Sequence, residues 1–153
     1  MKKILILSDT HGNIRTLEKL TGIMKDADLI FHLGDYQKDI QLYKEFSNKI
    51  YSVKGNCDGG GDDLELDVEG VKILLTHGDK YSVKSTLTKL FFKAKEQGFS
   101  LVCFGHTHQA LIEENDGIMF INPGSLSEYG YKSYCYCVIH QGKIVPKIVN
   151  LEG

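Results

Sequence analysis

The sequence has no excess of positive charge, no long hydrophobic run and no pair of cysteines at the CxxC spacing that is typical of structural zinc sites. It carries 18 lysine and arginine residues against 20 aspartate and glutamate residues, a formal net charge of -2. This balance disfavours a protein that holds nucleic acid or an anionic membrane by bulk electrostatics. The lysines are scattered and not interleaved with aromatics, which also disfavours a nuclease groove. Any phosphate binding must therefore be local.

The missing features also bear on where the protein works. No segment approaches the length of a membrane span, and the apolar run in "MKKILILSD" is too short for the core of a signal peptide. None of the four cysteines forms a CxxC pair, and two lie in apolar strand-like runs; they are Cys57, Cys103, Cys135 and Cys137. We expect reduced thiols and a cytoplasmic protein.

The length and patterning predict a single α/β domain over residues 1–153. Apolar runs at 3–7, 29–33 and 50–53 read as strands, separated by predicted helices at 14–24, capped by Asn13, and at 39–46. This βαβαβ opening implies parallel strands.

The second half reads differently. A further helix is predicted at 83–97 and a strand at 101–104, and turn signals at Glu69-Gly70, Asp116-Gly117 and Gln141-Gly142 separate antiparallel strands. So many strands favour two packed mixed β-sheets flanked by helices.

Metal-ligand residue types follow five of the strand-like runs. They are Asp9 and His11, Asp35, Asn56, His77, and the pair His106 and His108. Because ligands bind at the carboxyl ends of strands in open α/β sheets, we expect these loops to converge on one site.

Taken singly, these residues have simpler explanations. Asp9 could cap a turn, Asn56 could form a turn with Gly55, and the histidines could be ordinary loop residues. Four of the six histidines, however, fall at strand ends beside carboxylates, which favours a shared metal site. The other two, His32 and His140, lie inside strand runs and are interpreted as core or sheet-face residues.

Seven candidate ligands exceed what one tetrahedral ion can take, and they suit two ions bridged by a carboxylate. In an extended backbone residues i and i+2 point the same way, so Asp9 with His11, and His106 with His108, should each send two ligands to one side. Mixed nitrogen and oxygen ligation favours Mn²⁺, with Ni²⁺, Zn²⁺ or Fe²⁺ as alternatives, over Mg²⁺ or Ca²⁺.

The ordered motifs "DTH", "GD", "GNCD", "TH", "GHTH" and "NPGS", from Asp9 to Ser125, resemble the signature of the calcineurin-like metallophosphoesterases. They are especially similar to the small stand-alone phosphodiesterases of bacteria and archaea. The resemblance implies a four-layer α/β/β/α sandwich and hydrolysis of a small phosphate ester by water activated between two metal ions.

The resemblance also implies roles for the matched residues. One ion would be bound by Asp9, His11 and His108, the other by Asn56, His77 and His106, with Asp35 as the bridge. Asp9, Asp35, Asn56 and His77 would be catalytic, and His11, Asn56 and Cys57 would face the substrate.

Cys57 departs from the larger members of the family, which carry a histidine there that assists the leaving group. A small loop residue is the simpler reading, and a thiol near substrate or metal the alternative. The competing functional hypothesis is a catalytically weak protein-binding scaffold resembling the retromer subunit of this fold. The sequence leaves open whether the chain forms homo-oligomers.

Overall fold

A computed structural model of the protein describes residues 1–151. The ten strands are β1 (Lys2–Leu7), β2 (Leu29–His32), β3 (Ile50–Ser52), β4 (Leu64–Val68), β5 (Val71–Leu75), β6 (Leu101–Cys103), β7 (Leu111–Asn115), β8 (Ile118–Asn122), β9 (Lys132–His140) and β10 (Lys143–Leu151). The helices are α1 (Ile14–Lys19), α2 (Thr21–Asp26), α3 (Gln37–Gln41) and α4 (Thr88–Gln97), with 3-10 turns at Lys44–Lys49, Asn56–Asp58 and Asp79–Tyr81. None of these helices is long and apolar enough to cross a membrane.

The strands form two mixed five-stranded sheets, as predicted. The first has the order β10-β9-β1-β2-β3, in which β1, β2 and β3 are parallel and β9 and β10 antiparallel. The second has the order β4-β5-β6-β8-β7, in which β5, β6 and β8 are parallel and both edge strands antiparallel. The carboxyl ends of the parallel strands of each sheet therefore share one edge, where the candidate ligands follow.

Successive side chains of a strand point to opposite faces of its sheet, and this alternation produces the four layers. In β1, Ile4 and Ile6 belong to an apolar cluster shared with Ile73 and Leu75 of the other sheet, while Leu5 and Leu7 belong to a second cluster with α1 and α2. A third cluster joins the outer face of the second sheet to α4. Each fully buried large apolar side chain contributes roughly 1.5–3 kcal/mol, so the three cores hold helices and sheets in an α/β/β/α order.

All three predicted hairpin turns are confirmed. Glu69, Asp116 and Gln141 have φ of 49°, 52° and 50°, and the glycine after each also has positive φ. Two successive left-handed residues are what a two-residue turn needs to match the twist of its strands.

The predicted helices are real but differently bounded. The helix at 14–24 is two helices, which meet at Leu20, and the Thr21 hydroxyl donates to the Glu18 carbonyl (3.0 Å) at this junction. The Asn13 side chain accepts from Thr16 N–H, as a cap should. The helix at 39–46 is α3 followed by a 3-10 turn. The helix at 83–97 begins only at Thr88, because residues 82–86 form a turn in which Ser82 O accepts from Ser85 and Thr86.

Candidate metal centre

The structure brings the six aspartate and histidine residues among the seven predicted ligands together at one edge of the two sheets. Ligand atoms lie within 4.8 Å of one another in two groups, one of Asp9, His11, Asp35 and His108 and the other of Asp35, His77 and His106. Asp35 is common to both. Asn56 is exposed at the start of a 3-10 turn, next to Cys57, whose backbone N–H donates to Asp35 Oδ1 at 2.9 Å.

The distances fit coordination by metal. Asp9 Oδ1 lies 3.2 Å from His108 Nε2 and 3.7 Å from His11 Nε2, and Asp35 Oδ2 lies 3.6 Å from His11 Nε2 and 3.4 Å from His77 Nε2. Ligand atoms around one tetrahedral ion at about 2.1 Å are about 3.4 Å apart. The spacing is therefore that of ligands converging on a common centre.

Unpartnered polar atoms point to the same place. Within residues 1–151, three buried side-chain atoms lack a hydrogen-bond partner, and two of them are Asp9 Oδ1 and His11 Nε2. A buried carboxylate oxygen without a partner costs stability unless something binds it. A cation between these atoms would satisfy both.

His77 and Asp9 are held in orientation by their neighbours. His77 Nδ1 lies 2.7 Å from the Leu33 carbonyl, which can only accept, so Nδ1 carries the proton and Nε2 is left with its lone pair for a metal. Nε2 also lies 3.1 Å from His106 Nδ1. The other Asp9 oxygen, Oδ2, accepts from Ser8 Oγ and from the backbone N–H of His106.

Both carboxylates are ionised. Burial alone would raise the pKa of Asp9, but the facing rings of His108 and His11 outweigh it and hold that pKa far below its ordinary value. Burial acts in the same sense on Asp35, where His77 and the Cys57 N–H hold the pKa below its ordinary value. Two adjacent carboxylates kept charged in this way form a cation site.

The ligand loops have an unusual backbone, which corrects the extended i, i+2 geometry predicted from sequence. Five of the seven candidate ligands have positive φ: Asp9 (54°), His11 (45°), Asp35 (60°), His106 (70°) and His108 (63°). The paired side chains do reach one site, but by left-handed turns at the strand ends. Non-glycine residues in this conformation are strained, and such strain clusters at functional sites.

Close approach of the loops explains one motif glycine. A Cβ on Gly55 would collide with Asp35 Oδ1 and lie 2.5 Å from Asp35 N. The residue before Asn56 must therefore be glycine if Asp35 is to reach Cys57 N–H.

A buried network lies behind the ligands and was missed by sequence reasoning. His32 is fully buried, and its Nδ1 accepts from Gly34 N–H at 3.2 Å, so the proton is on Nε2, which donates to Thr10 Oγ1 at 3.1 Å. The Thr10 hydroxyl donates to Asp39 Oδ2 at 2.7 Å, and Gly12 N–H donates to the same oxygen at 2.7 Å. The network ties the loops that follow β1 and β2.

Burial lowers the pKa of His32 to about 4, although the charges of Asp9 and Asp39 act in the opposite direction. The ring is therefore neutral near pH 7, as its hydrogen bonds require. The core interpretation is confirmed for His32, whereas His140 ends β9 and is exposed.

Other supporting residues also escaped prediction. Asp58 Oδ1 accepts from Tyr36 N–H (2.9 Å) at the start of α3, and Asp58 Oδ2 accepts from Gly55 N–H (3.0 Å). In "NPGS", the Ser125 hydroxyl donates to the Asp9 carbonyl (3.0 Å) and Asn122 Nδ2 donates to the Gly105 carbonyl (3.1 Å). The motif match was the signal that could have found the last two.

The four cysteines are free, Cys57 exposed and the others buried, in keeping with the expected reduced thiols. Burial is the first cause of a raised pKa at Cys57, and the Asp35 charge adds to it.

Comparison with known proteins agrees with this geometry. A probable metallophosphoesterase of Bacillus subtilis, YsnB, is 37% identical over 127 residues, covering 80% of this chain and 74% of its own. The phosphodiesterase MJ0936 of Methanocaldococcus jannaschii is 30% identical, covering 83% and 86%. A structure from Streptococcus pneumoniae described as a predicted phosphoesterase superposes with a TM-score of 0.81 at 25% identity, covering 97% and 89%.

Vps29 of Entamoeba histolytica, in a structure with zinc, has a TM-score of 0.76 at 18% identity, covering 97% and 98%, and shares the fold. A model of the calcineurin-like phosphoesterase superfamily domain matches residues 1–143. With this match and relatives above 30% identity, the chain belongs to the calcineurin-like phosphoesterase superfamily of metal-dependent hydrolases.

Proposed function

We propose that the chain is a phosphodiesterase whose centre holds two divalent ions. Asp9, His11 and His108 hold one ion, Asn56, His77 and His106 hold the other, and Asp35 is shared. The observation that carries this proposal is the overlap of the two ligand groups at Asp35. Phosphodiesterase MJ0936 among the relatives supports the substrate class.

Two divalent ions, when bound at such a site, would supply an activated water and would offset the negative charge of the phosphate oxygens. The protein's part is to place them. Asp35 is oriented by Cys57 N–H and His77 by the Leu33 carbonyl, so the ligand atoms are positioned before anything binds. The donor set of imidazoles, carboxylates and an amide favours Mn²⁺, with Ni²⁺, Zn²⁺ or Fe²⁺ as alternatives.

Phosphodiesters with good leaving groups are favoured over alkyl monoesters because no imidazole stands at position 57. An aryloxide of low pKa leaves without a proton, whereas an alkoxide needs a general acid, whose help is worth about 10²-fold or more. Cys57 offers an exposed thiol in place of an imidazole, and burial and the Asp35 charge raise the pKa of that thiol, which makes it a weaker acid.

The scaffold alternative has less support. All seven predicted positions hold residues able to bind metal, and six of them converge. The likeness to Vps29 extends to the fold and carries no argument about binding partners.

The test is removal and return of metal. The protein is stripped with a chelator, and metal content and hydrolysis of bis(4-nitrophenyl) phosphate are measured before and after adding Mn²⁺ or Ni²⁺. We expect activity to vanish and return, with two ions per chain at saturation. Full activity in the stripped protein, or one ion per chain at full activity, would overturn the proposal.

A further inference from the structure

A cavity of about 650 Å³ adjoins the candidate metal centre on the side of the second sheet. Thr107, which lies between the ligands His106 and His108, forms part of its wall. The Thr107 hydroxyl accepts from Asn122 Nδ2 at 2.9 Å and from Gln109 N–H at 3.1 Å, so this wall is fixed. The cavity therefore begins beside the loop that carries the ligands His106 and His108.

The floor of the cavity is built against another ligand loop. Val83 and Phe104 line it, and both pack around Gly78, which directly follows His77. A Cβ on Gly78 would lie 2.9 Å from Val83 Cγ2 and 3.7 Å from Phe104 Cβ. The cavity and the His77 side of the centre are thus parts of one packed unit.

The lining has the character of a small-molecule site. Its floor is apolar, with Val83 and Phe104 buried and Leu87 and Leu111 half-buried, and its rim is polar. The volume lies within the range of roughly 300–1,000 Å³ found for pockets that bind organic ligands, and the half-buried Leu87 and Leu111 offer apolar surface to such a ligand.

The charges on the rim limit what the cavity can hold. Lys84 and Glu113 both line it, one of each sign. A second phosphate would gain from the lysine and lose to the carboxylate, whereas a neutral apolar group gains from the floor without a charge conflict.

We propose that this cavity, which we call the substituent pocket, binds a neutral ring-bearing alcohol substituent of the phosphate ester, of the size of an aryl group or a nucleoside. The inference rests on the proposed function, since it takes the phosphate to lie at the metal centre. It adds the class of alcohol and the residues that recognise it.

Binding of phosphonates tests the pocket without turnover, because a P–C bond is not hydrolysed. Isothermal titration calorimetry on the Mn²⁺-loaded protein compares phenylphosphonate with methylphosphonate. We expect phenylphosphonate to bind about tenfold more tightly, as burial of a ring in an apolar floor implies. Ala110→Trp, which fills the pocket from its wall, should abolish that preference and leave methylphosphonate binding unchanged.

Ile112→Trp is the matched control. Ile112 is 40% exposed, lies in β7 two residues after Ala110, and is not part of the pocket lining. It should keep the tenfold preference. Thr86→Trp fills the pocket from the opposite loop and serves as the second test if Ala110→Trp fails to fold.

The results separate the two proposals. A parent protein with no preference for the ring, or a preference that survives in a folded pocket-filling variant, overturns the substituent pocket even if diesters are hydrolysed. A parent that hydrolyses no diester when loaded with metal overturns the proposed function, even if the ring preference is found.

Discussion

The backbone N–H of Cys57 donates to Asp35 Oδ1 at 2.9 Å. This hydrogen bond turns the second carboxylate oxygen, Oδ2, toward His11 Nε2 (3.6 Å) and His77 Nε2 (3.4 Å), which belong to different ligand groups. The loop after β3 therefore orients the residue that joins the two halves of the centre.

Asp35→Asn should lower metal content and turnover together. The amide still accepts from Cys57 N–H, but it offers no second anionic oxygen to the histidines. Loss of residues that merely orient ligands costs 10–100-fold, so kcat/KM should fall at least about 100-fold. Asp116→Asn is the control, because Asp116 lies in an exposed hairpin, outside both ligand groups, and forms an exposed ion pair with Lys95. Equal effects of the two substitutions on metal content would contradict the assignment of Asp35.

Cys57→His should narrow the difference between substrates with good and poor leaving groups. The exposed position leaves room for a larger ring, which could protonate an alkoxide. We expect kcat/KM for an alkyl monoester to rise relative to that for an aryl diester, at saturating metal. Cys57→Ser, which removes the thiol and adds no acid, should leave the ratio as it is. An unchanged ratio in a folded, metal-loaded Cys57→His protein would show that position 57 does not set leaving-group dependence.

Thr10→Val should weaken metal binding, because it removes the Thr10 hydroxyl while keeping a side chain of similar shape. The substitution breaks the link from His32 to Asp39, so the loop carrying Asp9 and His11 loses its support. We expect the Kd for Mn²⁺ to rise about 10–100-fold, and Thr10→Ser to restore it. A purely structural role would instead lower the free energy of unfolding of the metal-free protein and leave the Kd of the folded protein unchanged.

His32 should make stability depend on pH in acid. Burial holds its pKa at about 4 in the folded state, against an ordinary value of 6.5, so the unfolded chain binds the proton more readily between these values. The contribution of neutral His32 to the free energy of unfolding is fully present above about pH 6.5. It is lost as pH falls toward 4, and the loss reaches up to about 3 kcal/mol. His32→Asn keeps an acceptor for Gly34 N–H and removes the titration. The difference in unfolding free energy between parent and variant should therefore shrink with acid, and a constant difference would refute this.

The ligands could be predicted from sequence because strand ends are easy to find and imidazole and carboxylate types are informative. The backbone conformation of the ligands could not be predicted, because an aspartate such as Asp9 or a histidine such as His106 does not by its residue type indicate a positive φ. Thr10 and Asp39 were missed for a different reason. A threonine in a loop and an aspartate at a helix start have common local explanations, and their contact crosses 29 residues of chain.

The first residues of the helices were predicted wrongly because they depend on contacts with residues distant in the sequence. Apolar periodicity predicted a helix from residue 83, but Val83 and Leu87 line the cavity and α4 begins at Thr88. Asp58 caps α3 from the loop after β3, and no local pattern reveals a cap supplied from there.

The left-handed ligand residues set stability against activity in these loops. Each non-glycine residue with positive φ lowers the stability of the folded state by on the order of 1 kcal/mol through backbone strain, and a glycine at the same position avoids this strain. His108→Gly should accordingly cost the metal-free protein little or even raise its melting temperature, while removing a ligand of the centre. A screen for thermostable variants would thus favour substitutions at positions that bind metal. It would select proteins that are more stable but no longer bind metal.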